Sequence, residues 1–485
     1  MKNQTIMQYF EWYLPSDHQH WKRLADDSKH LSEIGITKIW MPPAFKATGK
    51  DDVGYGVYDL FDLGEFDQKG TVPTKYGTKD EYLAAIKALK DAGIAPIADI
   101  VLNHKANGDA LETFTVLRMD PTDRQTPISE PFEIEGWTNF NFPGRGNTYS
   151  DFKWHWYHFS GTDYDARHQE TGVYMILGDN KGWADNDTVD NENGNYDYLM
   201  FTDIDYSHPE VRKHTKEWME WLVTTTGISG FRLDAIKHID LNVMKELIQH
   251  AQKAYGDEFY VFGEYWKSDF DAKDEYLKDT EFAFDLVDVA LHMNFYQASL
   301  AGGYYDLRNL FQGTLAEHIP TSAVTFVENH DTQRGQALES TVEDWFKPIA
   351  YGAILLREQG LPCVFYGDYY GIEGEFGQPS FQDIIDKLLY VRQNHAYGEQ
   401  NDYFDDANCI GWTRLGTDEY PNGLAVVISN SDVNEKRMNM GKCNAGKTFI
   451  DYTGNHDLEV TIDDEGWGTF PVNGGSISAW VNKEA

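Results

Sequence analysis

Two acidic residues, Asp234 and Glu264, each follow a short apolar run of the kind that forms a buried β-strand. Arg232 lies two residues before Asp234, so both side chains point to one side of the strand and the guanidinium would keep the carboxylate ionised as a nucleophile. Glu264 precedes a Tyr-Trp pair, and desolvation by aromatic surface raises a carboxyl pKa towards that of a general acid. An ionised carboxylate beside a protonated one can break the acetal bond between two sugars.

Either acid alone also has a structural interpretation. An Arg-x-Asp pair is often a buried ion pair, and a Glu at the end of a strand often caps the helix that follows. The catalytic interpretation therefore depends on the two acids occurring together, in environments that separate their pKa values.

A repeated unit of helix, glycine and strand would position these acids. Helical spacing of apolar residues over 21–34 is followed by Gly35 and a short strand at 39–41, and the unit recurs over 82–102, 209–233 and 241–263. The later strand candidates are 282–287, 323–327 and 362–366. This alternation predicts a parallel α/β architecture, which eight such units would close into a (β/α)8 TIM barrel.

Polar residues follow directly after these strands, at the edge where a barrel gathers its catalytic groups. They are Asn103, His104, Asp234, Glu264, His330 and Asp331. A doubly wound sheet would also place polar groups at strand ends, so the placement favours the barrel without excluding that alternative.

Two segments interrupt the rhythm and predict further domains. Residues 105–206 are rich in Asn, Asp, Gly and aromatics, and a loop of that length is implausible, so we expect a small β-rich domain inserted after strand 3. Short alternating strands after residue 395 predict a C-terminal antiparallel β-sandwich. The predicted domains are 1–104 with 207–395 for the barrel, 105–206 for the insert and 396–485 for the sandwich.

The charge of the chain limits its partners. The formal net charge is -38, from 41 Lys and Arg against 79 Asp and Glu, and this sign repels nucleic acid and anionic lipid. The first residues lack the apolar stretch of a signal peptide, no later run is suited to span a bilayer, and the three cysteines do not indicate a disulfide framework. We therefore expect a cytoplasmic monomer that binds neither nucleic acid nor membrane.

Four short motifs occur in order along the chain: DIVLNH at 99–104, GFRLDAIKH at 230–238, GE at 263–264 and FVENHD at 326–331. With these motifs the chain resembles the α-amylases of the large glycoside hydrolase family that includes the bacterial liquefying enzymes. Similarity to the liquefying type extends through MQYFEWY from residue 7, GYGVYD from residue 54 and NYDYLM from residue 195, and so covers most of the chain.

The resemblance implies internal hydrolysis of α-1,4-glucosidic bonds in starch, glycogen or maltodextrins, with retention through a covalent glycosyl-enzyme. It implies Asp234 as nucleophile, Glu264 as acid and then base, and Asp331 as a third carboxylate that holds the 2- and 3-hydroxyls of the distorted sugar. The implied sugar contacts are Tyr58 as an aromatic platform, Arg232 beside the nucleophile, His104 and His330 as hydroxyl ligands, and Lys237, His238 and Trp266 on the leaving-group side.

The resemblance also implies a structural calcium ion between barrel and insert, beside the cleft. Its ligands would be Asn103, Asp197, Asp203 and the backbone carbonyl of His238, a set of oxygen donors that suits Ca²⁺. The alternative is that the Asp- and Asn-rich stretches are solvated turns. Because Ser160 and Asn430 stand where many relatives carry acids that hold further metals, we expect one site only.

One motif points to a different chemistry. Residues 441–448 match the pattern of a phosphate-binding loop. That loop must lead into a helix whose N-terminus faces the phosphates, whereas residues 449–452 are strand-like. We therefore predict a β-turn here and no nucleotide-driven function.

Two other functions stay open. One is a transglycosylase, branching enzyme or debranching enzyme of the same family, since these differ mainly in their outer subsites. The other is a catalytically inactive barrel that binds glucan. Loss of a carboxylate would mark the second alternative, and Asp234, Glu264 and Asp331 are all present.

Overall fold

The computed structural model describes residues 2–256 and 258–484. Eight parallel strands form a closed barrel at its centre. In chain order they are β1 (Ile6–Gln8), β2 (Lys38–Met41), β3 (Ala95–Ile100), β4 (Gly230–Leu233), β5 (Tyr260–Gly263), β6 (Asp285–Val287), β7 (Ala323–Phe326) and β8 (Leu361–Phe365). Parallel pairing of β1 with β8 closes the ring, which confirms the predicted barrel.

The helices of the barrel lie between successive strands or follow β8. They are α1 (His20–Glu33), α2 (Lys79–Asp91), α3 (Pro209–Thr226), α4 (Leu241–Tyr255), α5 (Phe270–Asp279), α6 (Val289–Ala301), α7 (Leu315–His318), α8 (Lys347–Leu355), α9 (Tyr366–Tyr370) and α10 (Gln382–Asn394). Local sequence sets their ends. For example, α3 ends at Gly227, whose φ of 70° lies in the left-handed region that glycine adopts without steric cost.

A six-stranded sheet follows β3, where the insert was predicted. In spatial order its strands are His104–Lys105, Thr202–Ile204, Phe159–Asp165, Glu170–Ile176, Ala110–Met119 and Phe132–Asn139. Its first and last strands in the chain pair with each other, with Asp203 opposite His104. Both ends of the insert therefore return to the barrel edge next to β3. The residue bounds of the three domains remain a prediction from the sequence.

The C-terminal region is an antiparallel β-sandwich, as predicted. A six-stranded sheet packs against a two-stranded sheet. In spatial order the strands of the larger sheet are Gln400–Tyr403, Cys409–Arg414, Leu424–Ser429, Ser476–Asn482, Thr448–Asp451 and Glu459–Thr461. The smaller sheet pairs Asn434–Asn439 with Trp467–Val472. In the strand Leu424–Ser429, Ala425 and Val427 face the sandwich core, while Val426 and Ile428 join the core shared with the barrel. Burial on both faces explains its continuous apolar run.

The stretch that matches a phosphate-binding loop lies within this sandwich. It ends in the strand Thr448–Asp451 rather than in a helix, so the backbone N–H groups of a helix N-terminus do not face it. Among the helices of residues 2–256 and 258–484, none combines the length and the apolar composition that crossing a bilayer requires.

Candidate active site

The two acids that the sequence singled out lie at one edge of the barrel. Asp234 directly follows β4 and Glu264 directly follows β5, and these strands pair in register so that Leu233 is opposite Gly263. Because all eight strands are parallel, their carboxyl ends meet at this edge. The next residue, Ala235, has a φ of 51°, a left-handed turn that ends β4 immediately after the acid.

A single guanidinium holds several carboxylates at this edge. Arg232 Nη1 donates to Asp234 Oδ1 at 2.8 Å and to Asp99 Oδ1 at 3.0 Å, while its Nη2 donates to Glu264 Oε2. Asp99 lies in the same layer of the barrel because it is the register partner of Arg232 on β3. Arg232 therefore contacts both predicted catalytic acids, whereas the sequence had paired it with Asp234 alone.

Burial shifts the pKa of Glu264 at this edge. Glu264 is 7% exposed, and this desolvation raises the pKa of its carboxyl group well above the usual value; Arg232 opposes the shift, and the nearby charge of Asp234 adds to it. Burial likewise raises the pKa of Asp331 to about 7 and that of Asp99 to about 6. Several buried acids around one cation favour retention of a proton, which Glu264 needs as a general acid.

A cleft of about 280 Å³ opens above these acids. All three predicted catalytic acids line it, together with the predicted sugar contacts His104, Lys237, His238, Trp266 and His330. Trp12, Tyr196, Leu199, Met200 and Leu338 also line it and were not singled out from the sequence. The cleft thus offers carboxylates, imidazoles and apolar ring faces, the groups that bind the hydroxyls and C–H faces of a neutral sugar.

Tyr58 does not lie in this cleft, so its predicted role as the platform beneath the sugar is wrong. It is 1% exposed, its hydroxyl donates to Asp109 at 2.7 Å, and its ring packs on Phe142 at 5.3 Å. Tyr55 lines the cleft instead. Both tyrosines belong to the segment GYGVYD, and the fold rather than the motif decides which one reaches the site.

Tyr55 belongs to a stack of rings along the cleft wall. Its ring lies parallel to that of His330 at 5.1 Å and to that of Trp12 at 6.1 Å. Its hydroxyl donates to Asp99 at 2.8 Å, which fixes the ring on the network around Arg232. This wall of the cleft is therefore a rigid aromatic surface.

The histidines of the cleft are neutral and held in place. Burial lowers the pKa of both His104 and His330. The Gln8 amide lies 3.1 Å from His330 Nδ1 and donates to it, which leaves the imidazole proton on Nε2, 3.3 Å from Asp331 Oδ2. His104 Nε2 lies 2.8 Å from the carbonyl of Tyr55. The imidazoles therefore serve as hydrogen-bonding groups rather than as charges.

The residues predicted on the leaving-group side are fixed by the insert. Lys237 Nζ donates to Glu192 Oε2 at 2.6 Å and to the carbonyl of Trp266 at 3.0 Å. His238 Nδ1 lies 2.7 Å from the carbonyl of Tyr196, and burial lowers the pKa of His238 to about 3. The insert thus forms one wall of the cleft, and Glu192, which the sequence analysis did not identify, holds the lysine.

The residues predicted to bind calcium meet beside the cleft. Asn103, Asp197 and His238 line one cavity of about 380 Å³, and Asp203 is bonded to Ser160, which lines the same cavity. Burial raises the pKa of Asp197 to about 7 and raises that of Asp203, and the charge of Asp197 raises the latter further. Within residues 2–256 and 258–484 neither acid has an ion-pair partner, whereas the neighbouring Asp205 pairs with Lys181 at 2.5 Å. Two buried acids without a cation are suited to hold one.

Asn430, which was weighed for a further metal, and Asp402 are both held by protein contacts. Asn430 Nδ2 donates to the carbonyls of Gly302 and Tyr305, at 2.9 and 2.8 Å. Asp402 forms a bidentate salt bridge with Arg357, in which Nη1 donates to Oδ1 and Nη2 to Oδ2, each at 2.8 Å. Protein groups therefore already satisfy these side chains.

A cluster of His158, His208 and Glu210 also brings potential metal ligands together. However, His158 Nδ1 accepts a hydrogen bond from the backbone N–H of His155 at 3.0 Å, so the proton of the neutral ring lies on Nε2. A metal would need the Nε2 lone pair, which that proton occupies. The cluster therefore does not fit a metal site.

Sequence comparison places the chain among known proteins. The description "Alpha amylase, catalytic domain" matches residues 20–422, and "Alpha-amylase C-terminal" matches residues 424–481. The chain is 51% identical over 484 residues to an α-amylase of Bacillus licheniformis. The match covers 99% of this chain and 94% of that protein. It is 45% identical over 494 residues to the cytoplasmic α-amylase of Escherichia coli, with 100% of both chains covered.

Two further comparisons concern specificity and fold. The chain is 50% identical over 483 residues to a glucan 1,4-α-maltohexaosidase of Bacillus sp. (strain 707), covering 99% of this chain and 93% of that protein. Among solved structures, an α-amylase from Geobacillus thermoleovorans in complex with acarbose superposes with a TM-score of 0.66 at 18% identity, over 100% of this chain and 99% of that one. At that identity the superposition shows the fold alone.

Proposed function

This chain belongs to the α-amylase family, and on that premise we propose that it hydrolyses internal α-1,4-glucosidic bonds of glucans with net retention at the anomeric carbon. The observation that carries the proposal is the contact of one buried guanidinium, that of Arg232, with both Asp234 and Glu264 at the floor of the cleft. This contact supports the assignment of a nucleophile and a proton donor to one reacting centre.

We assign the two chemical steps to these acids. In the first, Asp234 attacks the anomeric carbon to form a glycosyl ester, while Glu264 protonates the departing glycosidic oxygen. In the second, the ionised Glu264 takes a proton from water, which attacks the same carbon and releases Asp234. The raised pKa of Glu264 supports its role as acid, and the hydrogen bond of 2.8 Å from Arg232 fixes the position of the Asp234 carboxyl group.

We assign the remaining cleft residues to binding the sugar at the cleaved bond. The Tyr55 ring would lie beneath that sugar, and Asp331, His330 and His104 would bond its hydroxyls. Lys237 and Trp266 would contact the sugar on the leaving-group side. The shared cleft and the fixed rings support these roles, since preorganised groups bind without an ordering cost.

We also propose that Asp197, Asp203, Asn103 and the His238 carbonyl hold one calcium ion. The ion would neutralise two buried acids and join the insert to the barrel, because its ligands come from both. Its role would be to hold the wall of the cleft rather than to take part in bond cleavage.

Similarity to the cytoplasmic enzyme of E. coli over its full length supports a cytoplasmic location for this chain. We further propose that it acts as a monomer, so light scattering should return a mass of 55.6 kDa.

Digestion of a defined maltooligosaccharide tests the reaction. We expect NMR during early turnover to show that the first product is the α-anomer. We expect Glu264→Gln to abolish turnover while glucan binding persists. A β-anomer formed first would overturn the covalent mechanism. Products of higher mass than the substrate would favour the alternative of a transglycosylase or branching enzyme.

A further inference from the structure

One carboxylate of the insert lies behind the segment that carries Glu264. Asp190 is 5% exposed, and its Oδ2 accepts a hydrogen bond of 2.7 Å from the Tyr265 hydroxyl. Lys267 Nζ pairs with the same carboxylate, at 2.9 Å from Oδ2 and 3.2 Å from Oδ1. Tyr265 directly follows Glu264, so a charged anchor from the insert begins one residue after the proposed general acid.

The residues after β5 turn alternately to two sides. Glu264 and Trp266 line the catalytic cleft, whereas Tyr265 and Lys267 line a second cavity, of about 390 Å³, which Asp190 also lines. Because one backbone joins these four residues, anchoring 265 and 267 on one side restricts how 264 and 266 can turn on the other. Asp190 therefore supports the acid and the indole from behind, as residues outside a site hold the groups within it.

Asp190 also reaches the loop that follows Asp234. Its backbone N–H donates to the carbonyl of Lys237 at 2.9 Å, and its Oδ1 accepts from the backbone N–H of Glu192 at 3.0 Å. Lys237 Nζ donates to Glu192 and to the carbonyl of Trp266. The two loops on the leaving-group side thus converge on one residue of the insert.

The contacts of the Glu264 carboxyl group show why its backbone matters. Among the described residues, the hydrogen bonds that this group accepts come from Arg232 and from the backbone N–H of Ala235, and both end on Oε2. Oε1 is therefore the oxygen that can present a proton to the glycosidic oxygen. A general acid must lie within hydrogen-bond reach of the atom that it protonates, so the position of Oε1 depends on the backbone of residues 264–267.

We propose that Asp190 is a positioning residue for the first chemical step, and that by anchoring Tyr265 and Lys267 it holds the proton of Glu264 against the departing glycosidic oxygen. This inference rests on the proposed function, in which Glu264 is the general acid. Asp190 touches no reacting atom and acts through the backbone of residues 264–267. A misplacement of about 1 Å can cost about 100-fold in rate, and Arg232 still holds Oε2, so loss of the anchor should weaken acid catalysis without abolishing it.

Two aryl maltotriosides separate acid catalysis from changes in folding or sugar binding. Phenyl maltotrioside has a leaving group that needs a proton, whereas 2-chloro-4-nitrophenyl maltotrioside has one that departs as the anion, and both fill the same sugar sites. The ratio of their kcat/KM values reports how well Glu264 delivers its proton. We expect Asp190→Ala to lower kcat/KM for the phenyl substrate about tenfold and to leave that for the chloronitrophenyl substrate within about twofold. Loss of folded enzyme would lower both equally.

Two variants that each remove one hydroxyl form a matched pair. Tyr265→Phe removes the bond to Asp190 but keeps the Lys267 pair, and we expect the ratio to fall about threefold. Tyr260→Phe removes a bond of 2.9 Å to Asp285, an equivalent contact at the amino end of β5, and should keep the wild-type ratio. Both variants keep the aromatic ring, so they test the proposal even if Asp190→Ala does not fold.

Two results would overturn the positioning role and leave the catalytic assignment intact. One is a wild-type ratio in Asp190→Ala or in Tyr265→Phe. The other is a fall in Tyr260→Phe as large as that in Tyr265→Phe. Failure of the wild-type chain to cleave either maltotrioside would instead overturn the proposed function.

Discussion

At the scale of single residues, the site is defined by an excess of buried acid. The guanidinium of Arg232 is surrounded by four acids. It donates hydrogen bonds to Asp99, Asp234 and Glu264, and the fourth acid, Asp331, lies near it. Because one cation cannot offset four buried carboxylates, some of them must stay protonated near neutral pH. Burial raises the pKa of Glu264 well above the usual value, which favours its protonated form.

The raised pKa of Glu264 predicts the alkaline limit of activity. A general acid works only while protonated, so kcat/KM should fall as pH rises through the pKa of Glu264 in the free enzyme, by about tenfold per pH unit beyond it. Because that pKa is raised, the fall should begin well above the ordinary range of a glutamate. A pH profile on maltoheptaose gives the measurement. A profile that already declines at pH 5 would contradict the assignment.

The two tyrosines of the segment GYGVYD form a matched pair for mutation. Tyr55→Leu removes the ring beneath the sugar, and we expect kcat/KM to fall about tenfold, equivalent to about 1.4 kcal/mol of transition-state stabilisation. Tyr58→Leu removes a packed ring and its bond to Asp109, so it should lower the melting temperature with kcat/KM nearly unchanged. The reverse pattern would restore the platform role to Tyr58.

At the scale of elements, a buried charge network holds the segment that carries Asp331. Glu328, three residues before Asp331, accepts a bond from the backbone N–H of Val342 at 3.2 Å and lies 3.3 Å from Lys347 Nζ on α8. Lys347 also pairs with Asp368 on α9 at 2.5 Å. All three charged side chains are 1% exposed or less. Burial raises the pKa of Glu328 to about 8, so it is protonated at neutral pH and Lys347 balances Asp368 alone.

Removing the cation should therefore cost more than removing the protonated acid. Lys347→Met leaves the buried Asp368 without its partner, and we expect a loss of about 3–5 kcal/mol of unfolding free energy. Glu328→Gln changes no charge at neutral pH and should cost only about 1 kcal/mol. Denaturant unfolding of both variants measures the difference. Equal losses would show that Glu328 is ionised in the native protein.

At the scale of the whole molecule, the insert depends on its attachment to the barrel. Asp197 and Asp203 are buried where the two meet, and a cation there would offset the cost of their burial. Asp203 is also paired in the sheet opposite His104, so movement at the proposed calcium site would reach a cleft residue. Stability and activity should therefore respond to calcium together.

Chelation should lower the melting temperature, and added calcium should restore it. A ligand that binds only the folded state stabilises it by RT ln(1 + [L]/Kd), about 2.7 kcal/mol at a hundredfold excess over Kd. Asp203→Asn should abolish this response, whereas Asp402→Asn, at a position satisfied by Arg357, should retain it. Differential scanning calorimetry with and without chelator measures the effect. A melting temperature that is indifferent to both additions would remove the metal from the proposal.

Sequence patterns alone predict the barrel, the inserted sheet, the sandwich and the placement of Asp234 and Glu264 after strands. These depend on local patterns: apolar runs, the glycines that end helices, and acids placed directly after strands. The strand Ile6–Gln8 was not predicted, because three residues are too few to show a period. The role of Asp331 and the α-1,4 linkage came from resemblance and not from spacing.

The tertiary structure alone decided which side chains meet. It brings Tyr55 rather than Tyr58 to the cleft and adds Glu264 as a partner of Arg232. It also joins Glu192 to Lys237 across 45 residues and Lys347 to Glu328 across 19. None of these contacts has a local signature, since each depends on how separate strands and loops converge at one edge of the barrel. Residue types and spacing identify groups capable of the chemistry, while burial, which only the fold provides, determines the pKa values with which they act.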